Sequence, residues 1–143
     1  MAKLDRTVTI DAPIEKVFQF VEDPSNFPEV WPSMVEVKDV ERLPSGGRKF
    51  SWVYKMAGVK LEGTSATTEY EENRRIVSET KGGIQSRFVW SFTPEGDGTT
   101  LHVDMEYTIP VPVVGKLAES VVVKMNEREA SALVSNIKDR MEV

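Results

Sequence analysis

Six successive segments between Val35 and Ile109 read as short strands with an apolar face, and turn residues separate them. In "RKFSWVYKM" the parity holds Phe50, Trp52, Tyr54 and Met56; in "IQSRFVWSFT" it holds Ile84, Phe88, Trp90 and Phe92. In "TTLHVDMEYTI" it holds Leu101, Val103, Met105, Tyr107 and Ile109. A period of two is a strand signal and does not fit a helix. The punctuation "PSGG", "AG", "ENR", "KGG" and "PEGDG" gives hairpin connections, so the six segments predict an antiparallel meander. Each strand has one apolar face, and that face needs a cover.

The cover is sought at the two ends of the chain. "KLDRTVTI" alternates and predicts a first strand. Pro13 suits the start of a helix, where a missing N–H costs nothing, and Ile14, Val17, Phe18 and Val21 follow at helical spacing. Pro24 ends that helix. An irregular piece follows, "DPSNFPEVWP", with Phe27, Val30 and Trp31 hemmed by Pro24, Pro28 and Pro32. Beyond "PVPVVG" there is no proline or glycine, and good helix formers predict a long helix from about Val114 to Arg140. Ala130, Leu133, Val134, Ile137 and Met141 form its apolar stripe, which traced backward meets Asn126, Val123 and Glu119. Leu117, Val121 and Met125 point elsewhere and are a candidate homodimer face. The expected fold class is α+β. A curved antiparallel sheet of about seven strands wraps round the long C-terminal helix, with two short helices after the first strand. Residues 1–143 are expected to form a single domain.

Bulk properties exclude several classes. The charge is −5, and the longest basic run is the pair Arg74 and Arg75, so nothing resembles a surface that tracks nucleic-acid phosphates. There is no cysteine, hence no disulfide framework and no thiolate metal site. The start "MAKLDRTVTI" has no apolar run of signal-peptide length, and no window approaches a membrane span. A cytoplasmic location and no stable membrane insertion are expected. No cofactor motif and no spaced set of metal ligands stands out.

The run "TVTIDAPIEKVFQFVEDPSNFPEVWPSMVEVKDVE", the "RIV" of the fifth strand, "WSFTPEGDGTTLHVDMEY" and the last helix resemble the START-related superfamily of polyketide cyclases and dehydratases, lipid-transfer domains and pathogenesis-related proteins. The resemblance covers nearly the whole chain. It implies a helix-grip fold with an elongated apolar cavity between sheet and terminal helix. It also implies ligands such as lipids, sterols, aromatic polyketides and quinones. Fold alone does not assign the function.

The candidate cavity residues are Phe27 and Trp31 from the irregular segment, with Trp52, Tyr54, Phe88, Trp90, Met105 and Tyr107 from inward strand parities. Val123, Asn126 and Ala130 join them from the helix stripe. Aromatic residues at strand parity more often fill a core than line a pocket. The fourth strand, however, with Gly63, Ser65, Ala66 and Thr67, lacks bulk to fill the space opposite them. His102 shares its parity with Asp104 and Glu106 and is expected on the solvent face. The charge runs "EYEEN" and "NERE" read as solvated faces. The leading functional expectation is a module that binds an apolar or amphipathic small molecule. The alternatives are a lyase or isomerase of the polyketide cyclase or dehydratase type, for which no catalytic residue is recognisable, and a protein-interaction module.

Overall fold

The structure is a computed structural model that describes residues 1–143. Strand β1 (Ala2–Ile10) is followed by helix α1 (Ile14–Glu22), a 3₁₀ turn at Pro24–Asn26 and the single-turn α2 (Phe27–Val30). The meander then runs through β2 (Met34–Arg42), β3 (Arg48–Met56), β4 (Val59–Glu71), β5 (Arg75–Gly82), β6 (Ser86–Glu95) and β7 (Gly98–Tyr107). The one-turn α3 (Val111–Val114) and the long α4 (Glu119–Met141) complete the chain. All seven strands form one antiparallel sheet in the order β1-β7-β6-β5-β4-β3-β2. The alternating segments thus become the strands that their period predicts.

The apolar parity of the sheet packs against α1, α2 and α4 in one core cluster. Val17, Phe18 and Val21 enter it from α1, while Val122, Ala130, Leu133, Val134, Ile137 and Met141 enter it from α4. Each large aliphatic side chain removed from water in this way contributes about 1.5–3 kcal/mol. The segment between α1 and β2 is fixed by polar contacts of its own. Asp23 accepts the Ser25 amide at 3.0 Å, and the Asn26 amide donates to the Phe20 carbonyl at 2.8 Å. From α4, Asn136 donates to the Val30 carbonyl at 3.0 Å, and Glu129 accepts the Ser33 amide at 2.8 Å.

Two expectations about the terminal helix need correction. It does not start at Val114. Val111–Val114 forms the separate α3, capped at Gly115, and Ala118 is extended, so α4 begins at Glu119. Gly115 marks where α3 ends, but Lys116, Leu117 and Ala118 after it are good helix formers and conceal how far the break extends. The buried stripe also does not run back through Val123. It runs through Asn126 to Val122, which is fully buried, while Val123 is only half-buried and Glu119 is exposed. Val122 lies one turn before Asn126 on the same face, and Val113 of α3 is fully buried in the same cluster.

Candidate ligand cavity

A cavity of about 100 Å³ lies between the concave face of the sheet, the α1–α2 segment and α4. Its existence follows from side-chain size. The central strands carry Ser65 and Thr67 on β4, Ser78 and Thr80 on β5 and Ser86 on β6 where bulky residues would fill the space, and Ala130 faces them from α4. Gly63 belongs to the same logic. A Cβ there would lie 2.5 Å from Trp52 Cζ2 and 2.2 Å from the Lys81 carbonyl, so only glycine lets the indole lie flat across β4.

The walls are aromatic. Phe27 stacks on Trp90 at 6.1 Å between centroids, with planes 17° apart. Trp31 meets the edge or face of Phe27 at 5.7 Å, Tyr54 at 5.7 Å and Phe88 at 5.5 Å. Such pairs add about 0.5–1.5 kcal/mol each beyond the area they bury. The proline-rich segment is therefore a wall of the cavity: Phe27, Val30 and Trp31 are all buried, with Phe27 and Trp31 on its inner surface. Trp52, Tyr54, Phe88, Trp90, Met105, Tyr107, Asn126 and Ala130 also line it. Val123 does not, because its place on the buried side of the helix is taken by Val122.

Polar groups interrupt this apolar surface at defined points. Asn126 donates to the Tyr107 hydroxyl at 2.9 Å, both residues being buried. Burial pushes the Tyr107 phenol above its ordinary pKa, and the bond from Asn126 acts in the opposite direction. Burial likewise raises the Tyr54 phenol, and the negative charge of Glu129 adds to the effect. Glu22 and Arg48 form a two-pronged ion pair, at 2.9 and 3.2 Å, with both side chains mostly withdrawn from water. The bond to Glu22 holds the Arg48 guanidinium above its ordinary value. The indole N–H of Trp52 is buried and has no hydrogen-bond partner; the Trp31 side chain faces the Tyr54 hydroxyl and opposes the rise of its pKa.

Sequence reasoning did not find Glu22, Arg48 or Glu129 as members of this lining. Glu22 ends α1 and Arg48 opens β3, and only the fold brings them together. Glu129 lies in "NERE", read as a solvated run, yet it is three residues after Asn126 and one before Ala130, on the flank of the buried stripe. That spacing was the available signal. His102 is on the opposite face of the sheet from the cavity. Its Nε2 is 3.2 Å from Asp104 and 3.6 Å from Asp5, and its Nδ1 is 2.5 Å from the Thr7 hydroxyl. Asp5, His102 and Asp104 bring ligand-type atoms within 4.8 Å of one another, largely exposed, and the neighbouring polar groups account for each of the imidazole's contacts.

Residues 1–142 match the model of the family described as polyketide cyclase/dehydrase and lipid transport. No curated protein sequence matches the chain. Among solved structures, a START superfamily protein of Mycobacterium smegmatis superposes with a TM-score of 0.81 at 20% identity, covering 98% of this chain and 97% of that one. A protein of Thermus thermophilus gives 0.75 at 23% identity, with 98% and 97% covered. The Zhui aromatase/cyclase of a Streptomyces species gives 0.76 at 18% identity, with 99% and 93% covered. At these identities the likeness is one of fold: a helix-grip arrangement of sheet and terminal helix.

Proposed function

The chain belongs to the polyketide cyclase/dehydrase and lipid transport family, and from that membership we propose that it binds an apolar or amphipathic small molecule in the cavity between the sheet and α4. One observation carries the reading. The sheet centre is built from small hydroxyl side chains, while aromatic side chains surround it, so a hole is maintained where a packed core would be more stable. Empty space of this kind forfeits dispersion contacts that a ligand restores. The fluorescence of Trp31, Trp52 and Trp90 reports on the cavity directly. Titration with small apolar probes should change it saturably, and native mass spectrometry of the freshly purified protein should show a bound adduct. A protein that binds no probe and carries no adduct removes the proposal.

A second reading, an enzyme of the cyclase or dehydratase type, is favoured by a different observation. Tyr54 and Glu129 both line the cavity, and the negative charge of Glu129 adds to the rise of the Tyr54 phenol. A group with a shifted pKa in a cleft is a candidate for proton transfer. The test separates binding from turnover. Tyr54→Phe and Glu129→Gln should leave probe affinity within a few-fold and abolish conversion of a linear polyketone analogue. No conversion by the unaltered protein sinks this reading and leaves the binding function untouched.

A further inference from the structure

A hydrocarbon in the cavity would leave its polar wall unused. Ser65, Thr80 and Ser86 form a row across β4, β5 and β6, paired directly in the register of the sheet. Thr80 donates its only hydroxyl hydrogen to the Ile84 carbonyl at 3.1 Å, so Ser86 is the donor in the Thr80–Ser86 contact. Tyr107 lies opposite Ser86 on β7. Its oxygen accepts from Asn126, which leaves the phenolic hydrogen to be donated. Trp52 is 4% exposed, its ring lines the cavity, and its indole N–H has no acceptor. Trp31 differs, because its side chain faces the Tyr54 hydroxyl as a hydrogen-bond neighbour. Native interiors pair nearly all such groups, and a buried donor left without a partner is costly.

The unspent groups are donors: the Trp52 indole N–H and the Tyr107 phenol O–H. What they lack is an acceptor. The size of the space adds a second limit. A dry cavity of about 150 Å³ takes a benzene-sized molecule, and drug-sized ligands need about 300 Å³ or more. Here the volume is about 100 Å³ in a cavity that is not fully enclosed, so a single ring fills it and reaches its mouth. We propose that the preferred ligand is a single-ring compound bearing a carbonyl or similar acceptor oxygen, not a bare hydrocarbon, an acyl chain or a fused multi-ring molecule. This rests on the cavity-binding reading above and narrows it.

Acetophenone and ethylbenzene share a carbon skeleton and differ in one acceptor oxygen, so they isolate the inference. The uniformly ¹⁵N-labelled full chain is titrated with each and followed through its backbone and indole N–H resonances. Acetophenone should bind about tenfold tighter, the effect of one well-made hydrogen bond. It should also move the indole N–H of Trp52 downfield, and Tyr107→Phe should reduce the preference if the phenol is the donor instead. Trp31→Phe and Trp52→Phe assign the resonances. Should either variant fail to fold, the unaltered protein still supplies the affinity ratio and the shift. Equal affinities overturn the inference while leaving the cavity-binding reading intact. So does a preference with no indole shift that also survives in Tyr107→Phe. If neither compound moves any cavity resonance, the cavity-binding reading itself fails.

Discussion

Tyr107 and Asn126 show how a buried polar pair divides its energetic role. Tyr107→Phe leaves the Asn126 amide without its 2.9 Å partner and should cost about 1–3 kcal/mol in urea denaturation. The double variant Tyr107→Phe/Asn126→Leu, with nothing left unpaired, should recover most of that loss. Trp31→Ala removes three aromatic contacts at once and should cost about 3–5 kcal/mol by the same measurement. At this scale the sequence was readable wherever parity decides orientation. Trp52, Tyr54, Trp90 and Tyr107 face inward because period-two strands leave them no other choice. It was unreadable at Arg48 and Glu129, because a charged residue at a boundary position looks the same in a sequence whether it meets water or a partner.

Elements are held at their junctions by a few specific devices. Glu22 at the end of α1 and Arg48 at the start of β3 join the covering helices to the sheet. Glu22→Gln should cost about 1–3 kcal/mol by urea midpoint and raise amide exchange in the last turn of α1. The β4–β5 pairing depends on Gly63 in a similarly local way. Gly63→Ala should cost about 1–3 kcal/mol and shift the near-ultraviolet dichroism of Trp52, whose ring must move away from the new methyl group. The strands were legible as elements, since each carries its own alternating pattern between turn residues. The start of α4 was not, because Gly115 signals the end of α3 while Lys116, Leu117 and Ala118, all good helix formers, conceal that α4 begins only at Glu119.

For the whole molecule, pH dependence joins the cavity to global stability. The folded-state pKa of Tyr54 is raised, chiefly by burial, so the neutral phenol is the form that the fold favours. That contribution is complete below the ordinary phenol value of about 10 and is lost as pH rises through the raised folded value. Urea midpoints between about pH 9 and pH 12 should therefore fall more steeply for the unaltered protein than for Tyr54→Phe. At the acid end the sign is reversed. The Glu142 carboxyl is held below its ordinary value, first by its bond to Lys138 and then by the Asp11 amide. Its contribution is complete above the ordinary carboxylate value of about 4.3 and is lost as pH falls through the lowered one. Nuclear magnetic resonance titration of Glu142 should show that lowered value, and Lys138→Met should return it toward normal.

Strand β1 opens the chain, yet its only neighbour in the sheet is β7, which ends at Tyr107. Ala2 finds its register opposite Tyr107 and Ile10 opposite Thr99, so β1 must wait for a strand separated from it by the rest of the meander. The hairpins from β2 to β7 can close as they emerge, but the N-terminal margin cannot. Closure of so long a loop is entropically late, which makes β1 the gatekeeper of folding speed, and until it docks one edge of the nascent sheet stands open to any other strand it meets.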